Sequence, residues 1–160
     1  MRKLFVLLFP ALLFGCAVNP FNGSSVSAGT PRDAVIARLG QPTRVVRMPQ
    51  GERLQYSQQP FGQFAWMVDL DASGKVTRSR QVLNEADFNR IELGKWTRED
   101  VEREFGPPAR VDGVASWNGP IMTYRWKNDS DMFYWVYLDA RNVVQRAHPG
   151  MEFLNAPDKD

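Results

Sequence analysis

One cysteine, Cys16, and one histidine, His148, make up the whole supply of soft nucleophiles and transition-metal ligands in this 160-residue chain. His148 precedes Pro149 with no second histidine, so no metal cluster can gather around it, and with Cys16 engaged as argued below there is no cysteine–histidine pair. Two carboxylate pairs, Asp69 with Asp71 and Asp129 with Asp131, have the spacing for acid–base work. Turn chemistry accounts for them as well. Asp71 opens the turn Asp71-Ala-Ser-Gly74, and Asp129 and Asp131 flank Ser130 in a hairpin loop. No glycine-rich phosphate loop follows a strand and no Gly-x-Ser-x-Gly elbow occurs. The expectation is a non-enzymatic protein without cofactor or metal, a small hydrolase being the least favoured alternative.

The chemistry of Cys16 is set by what precedes it. Arg2 and Lys3 lead into an apolar run, Leu4 to Phe14, and Gly15 supplies the small residue before a cleavage point. Eleven residues at about 1.5 Å each are too short to cross a bilayer, so residues 1–15 read as a removable export signal. Leu13-Phe14-Gly15-Cys16 resembles a bacterial lipobox. That resemblance implies that Cys16 becomes the lipidated first residue, its thiol converted to a diacylglyceryl thioether. Several acyl chains, buried at roughly 0.8 kcal/mol per methylene, anchor a protein to a membrane almost permanently. Ala17, where an aspartate would imply inner-membrane retention, implies the outer membrane, lipid-anchored on its periplasmic face. The alternative is an ordinary secretory signal with an unpaired cysteine nearby.

Removing residues 1–15 takes away two cations and no acid, leaving 18 basic and 18 acidic side chains. A neutral chain offers no field to a phosphate backbone, so nucleic acid is not an expected partner. No disulfide is available, and stability must come from a packed core. The remaining 145 residues suffice to bury about two thirds of their unfolded surface. Residues 16–28, rich in Asn, Pro, Gly and Ser, read as the lipidated cysteine and a mobile tether, and residues 154–160 as a disordered tail.

The chain repeats itself. Gly29-Thr-Pro-Arg-Asp-Ala-Val35 running to Leu39-Gly40-Gln-Pro42 returns as Trp96-Thr-Arg-Glu-Asp-Val101 running to Phe105-Gly-Pro-Pro108, an offset of 66 from Val35 to Val101. Downstream, Tyr56 matches Tyr124, Leu70-Asp71 matches Leu138-Asp139 and Val76 matches Val144, at an offset of 68. Each copy predicts a helix (31–39 and 98–105) capped by Thr30 or Thr97 and ended by Gly40 or Gly106. Thr97 with Asp100 also has the spacing of a capping box. Strands follow near 43–48, 53–58, 63–70 and 76–82, then near 110–114, 121–127, 132–138 and 143–147. Asn84 is placed to cap a further helix over 85–91. A module of this length is marginal alone, so the copies are expected to dock, by continuing one sheet or by stacking.

Gly-x-Thr, a helical valine, Leu-Gly-x-Pro, a tyrosine strand and an apolar strand ending in Asp-x-x-Gly together resemble the SmpA/OmlA family of BamE-like outer-membrane lipoproteins. The pattern occurs twice, over 29–83 and 84–153, and the tandem form is also similar to inhibitors of the β-lactamase-inhibitor-protein type. The resemblance implies an α+β fold of two tandem modules, each with short helices on one face of a 3–4 stranded antiparallel sheet. It implies an interaction scaffold in β-barrel assembly and envelope integrity, with the membrane and an envelope protein, the β-barrel assembly machinery among the candidates, as partners. The alternative it leaves is a periplasmic binding or inhibitor lipoprotein.

Strand alternation locates the candidate surface. Phe64, Trp66, Val68 and Leu70, with Met132, Tyr134, Val136 and Leu138, read as helix-covered core. The opposite face reads Ala65, Met67, Asp69 in copy one but Phe133, Trp135, Tyr137 in copy two, joined by Arg125 and Lys127. Aromatic and cationic side chains together suit a protein interface or a lipid headgroup surface. The alternative is that Trp117, on the 112–120 loop, covers them.

Overall fold

Thr97 starts a helix as its spacing predicts. Its hydroxyl accepts from the Asp100 amide while the Asp100 carboxylate receives the Thr97 amide, a complete capping box for α3 (Arg98–Phe105). The equivalent helix α1 (Arg32–Leu39) begins differently: Pro31 is its N-cap, and the Thr30 hydroxyl donates to the Ser27 carbonyl instead of capping. Both helices end on a glycine, Gly40 and Gly106, each at φ +80°. Asn84 caps α2 (Glu85–Phe88), which stops at Phe88, short of the predicted 91.

The computed structural model describes residues 26–152. The expected signal, Cys16 and the tail over 154–160 lie outside them. Of the expected tether, Val26 is buried, while Ser27 and Ala28 are exposed and the Ser27 carbonyl is engaged by Thr30. The described chain is α+β. After α1, strands β1 (Arg44–Met48), β2 (Gly51–Ser57), β3 (Ala65–Asp71) and β4 (Val76–Gln81) form an antiparallel meander. After α2 and α3, β5 (Arg110–Asp112), β6 (Ile121–Lys127), β7 (Asp131–Leu138) and β8 (Val144–Met151) form a second one in the same order. The two four-stranded sheets are separate, so no single sheet continues through both copies.

The halves share several bonds at matching positions. The Tyr56 hydroxyl donates to the Gly40 carbonyl at 3.1 Å, and Tyr124 donates to Gly106 at 2.8 Å. The Asp71 carboxylate receives the Ser73 and Lys75 amides, as Asp139 receives those of Arg141 and Val143. Each third strand carries an irregularity one step before its turn, at Asp69/Leu70 and at Tyr137/Leu138. Gly51 and Gly119, at φ +151° and +155°, pass so close to the carbonyls of Leu70 and Leu138 that a Cβ would sit 2.0 and 2.1 Å from those oxygens.

Helix α1 lays Val35 and Leu39 on the front of the first sheet, against Leu54, Tyr56, Val68 and Leu70. Helices α2 and α3 lay Phe88, Val101 and Phe105 on the front of the second sheet, against Tyr124, Trp126, Tyr134, Val136 and Leu138. Phe88 centres this core, its ring stacked on Tyr134 at 4.0 Å and 5.0 Å from Phe105. Phe64, expected in the first core, is exposed at 42%, and Trp66 only half enters it.

One expectation is overturned outright. The back of the first sheet, read from sequence as open, is covered. Ala65 and Met67 are fully buried and belong to the second core, packed with Phe88, Val101 and Phe105. The cover comes from α2 and α3, which follow β3 in the chain beyond β4, out of the reach of strand alternation. The order through the molecule is α1, first sheet, α2 with α3, second sheet. An ionic network seals the middle joint: Arg53 holds the Asp69 carboxylate at 2.6 and 3.2 Å and reaches Glu104 at 3.1 Å, while Arg80 pairs with Asp87 and Glu104. Arg53 and Gln55 also donate to the last carbonyls of α3, at Arg103 and Glu102.

Candidate functional site

The back of the second sheet ends this stack. Register places Arg110, Thr123, Trp135 and His148 in one row across β5 to β8, with Phe133 on one side of Trp135 and Tyr137 on the other. Alternation along β7 puts the three aromatics on one face because the front positions, Tyr134, Val136 and Leu138, are taken by the core. All three are half-buried. They form a ladder: Phe133 to Trp135 at 5.8 Å, Trp135 to His148 at 5.3 Å, and His148 stacked on Tyr137 at 5.4 Å. The Trp135 ring lies over Gly150, where a Cβ would come within 2.2 Å of it. Glycine at that point lets the indole lie down across β8.

The predicted cover is real at one end. Trp117 meets Tyr137 edge-on at 5.3 Å, and its indole N–H donates to the Leu138 carbonyl at 2.8 Å. Its ring contact is with Tyr137, and Phe133 and Trp135 are each left half-buried. Two cations flank the ladder. Arg110 sits over Phe133 at 5.7 Å and Arg146 over Tyr137 at 5.1 Å. Arg146, the repeat match of Arg78, is not among the residues expected on this surface; its sequence signal is its place opposite Tyr137 across the β7–β8 turn.

Arg125 and Lys127, expected on this surface, are engaged elsewhere. Arg125 pairs with Glu152 at 2.8 Å and donates to the Pro60 and Phe61 carbonyls, tying the β2–β3 loop of the first half to the second sheet. The Gln59 side chain completes that tie, donating to the Arg125 carbonyl at 2.7 Å and accepting from its amide at 3.1 Å. Register sets Arg125 opposite Phe133, and its side chain is taken up by Glu152 and the β2–β3 loop. Lys127 pairs with Asp131 at 3.3 Å near the hairpin, and hydrogen bonding from Gln63 with that lysine holds the Asp131 carboxyl below its ordinary range. Phe133, Trp135 and Tyr137 are therefore brought together, while Arg125 and Lys127 are not part of their cluster.

Of the carboxylates with spacing for acid–base work, Asp69, Asp71 and Asp131 are held by neighbouring groups. Asp69 is clamped by Arg53, and Asp71 receives the Ser73 hydroxyl and two amides, which hold it below the usual carboxylate range. Both line a shallow hollow of about 330 Å³ with Met48, Gln50, Glu52 and Thr77, and Glu52 is paired with Arg32 at 2.6 Å. Among the described residues no group of three or more metal-ligating side chains gathers. No helix among them is long and apolar enough to cross a membrane.

No family model matches the chain, and no curated protein matches it. A solved structure, that of a DUF4309 family protein (YjgB) from Bacillus subtilis subsp. subtilis str. 168, is similar at 16% identity over 77% of this chain and 79% of that one, with a TM-score of 0.32.

Proposed function

We propose that this chain is a non-enzymatic lipoprotein, anchored through Cys16 to the periplasmic face of the outer membrane, that works as an interaction scaffold. In this reading the two halves are tandem BamE-like modules, and the role is similar to that of the SmpA/OmlA family in β-barrel assembly and envelope integrity. The observation that carries it is the aromatic back of the second sheet. Every other broad sheet face is covered by a helix, and this one bears Phe133, Trp135 and Tyr137 half-exposed between two arginines. Such a face has binding chemistry without the converging ionisable groups that catalysis needs.

The anchor is tested by Cys16→Ala and cell fractionation. Unprocessed or soluble protein is expected; unchanged membrane attachment overturns the anchor. Affinity capture from detergent-solubilised membranes tests the role. Recovery of barrel-assembly components supports the scaffold, and recovery of one soluble enzyme supports the second reading. That reading, an inhibitor of the β-lactamase-inhibitor-protein type, is favoured by the same half-buried row of aromatic side chains on a sheet.

A further inference from the structure

The molecule contains a worked example of how the back of one of its sheets is used. On the first sheet that face receives helices: Met67 packs against α3, Gln55 donates to its carbonyls, and Arg80 meets carboxylates on α2 and α3. The same positions recur on the second sheet 68 residues later as Trp135, Thr123 and His148. His148 spends its Nδ1 on the Pro149 carbonyl at 3.2 Å, and two other polar atoms of this face lack partners among the described residues. Thr123 is 1% exposed with its Oγ1 unbonded, and the enclosed Nε2 of His148 is unbonded as well. Arg146, at the place of Arg78, has no carboxylate within salt-bridge distance among those residues and faces solvent over Tyr137.

We propose that the back of the second sheet docks an amphipathic helix of another protein, seated as α3 is seated on the first sheet. The helix would turn small apolar side chains to Trp135 and bring a carboxylate to Arg146. This deepens the scaffold reading and rests on it. Charge selects this occupant over a second copy. In a head-to-tail pair α1 would take the place of α3, presenting Arg38 where α3 presents Glu104, and a guanidinium would then face His148, with the unpaired Arg146 two residues away on the same face of β8. Position selects it over the bilayer. Val26, through which the chain runs back to Cys16, is buried with α1, at the end of the stack remote from Trp135. Shape agrees. Where Ala65 and Met67 leave room for the bulky flank of α3, Phe133 and Trp135 fill that room and call for a partner with little side chain of its own.

The test places a photoreactive benzoylphenylalanine at Phe133 in the full-length chain in cells, with Val45 on the remote sheet edge as control, and sequences the cross-linked peptide. The expected product is one protein, joined through a helical segment with small residues at i and i+4 and an Asp or Glu on the same face. Arg146→Glu, at a solvent-facing site, should cut the yield roughly tenfold with an unchanged melting curve, and a lysine at the partner's carboxylate should restore it. A synthetic peptide of the cross-linked helix should then bind the purified protein and lose affinity as salt rises. Adducts to lipid, to a second copy, to a strand or loop, or equal yields from positions 133 and 45 overturn the proposal. A strand or loop adduct leaves the scaffold standing. A helical adduct made by a protein that fractionates as soluble removes the anchor and leaves the helix site.

Discussion

Ala65 and Met67 on one sheet, and Phe133 and Trp135 on the other, hold matching places 68 residues apart, yet the first pair is dry and the second half-open. The residue types follow from what each face meets. A face that receives a helix within its own chain can be lined with a small residue, a flexible thioether and a clamped Arg53–Asp69 pair, because the helix brings the remaining bulk and charge. A face at the end of the stack has no such complement and covers itself: its rings lie on one another and on Gly150. Duplication kept the frame and changed the finish.

The sharpest way to break this comparison is to place the same charge on both faces. Met67→Arg puts an unpaired guanidinium in the joint and is expected to cost upward of about 4 kcal/mol, enough to unfold most of the chain. Trp135→Arg lets the new side chain reach water and should cost under about 2 kcal/mol; equal losses in chemical denaturation would mean both faces are core. Next in size is Arg53→Ala, which strands Asp69 while Glu104 keeps Arg80 and Arg90, and is expected to cost about 3 kcal/mol by urea titration. Ile121 stands in its place on the second sheet.

Acid should loosen the joint before the end face. Burial opposes ionisation of Asp87, but hydrogen bonds from Asn84, Arg80 and Arg90 outweigh it and hold the carboxyl below its ordinary value. The folded pKa being the lower one, this stabilisation is complete above the unfolded value of about 4 and is lost as pH falls through the folded one. The melting temperature is expected to hold level from pH 7 to 5 and to fall below pH 4. Asp87→Asn should flatten that fall, and an unchanged profile would remove Asp87 from it. The smallest effect separates the helix starts. Thr97→Ala removes a capping box and should cost about 1 kcal/mol, whereas Thr30→Ala, which caps nothing, should stay within about 0.5 kcal/mol.

The local devices were legible in the sequence because their partners are neighbours. Thr97 with Asp100, Asn84, the terminal glycines and the Asp71 and Asp139 turns all act within a few residues. Thr30 misled because Pro31, with φ preset, occupies the cap position and turns the hydroxyl back to Ser27. The double burial of β3 was not legible, since alternation reports which side a residue faces and not what arrives there from α3. The aromatic face was legible in its members and not in its edges: Trp135 is where parity put it, while Arg125 is spent on a loop of the other half.

That loop bears on what happens before the protein is finished. In the first half, the Thr43 hydroxyl accepts the Ser57 amide past the end of β1. Ala109 has no hydroxyl to offer at the corresponding place, and β5 spans only three residues, so the Gln59 amide occupies the Arg125 amide and carbonyl instead. The part of β6 beyond Thr123, which β5 does not reach, would otherwise present a bare, sticky rim able to recruit other chains. Because Gln59 precedes β6 in the chain and covers this part of its edge, Gln59→Ala is expected to be felt as aggregation rather than as lost binding.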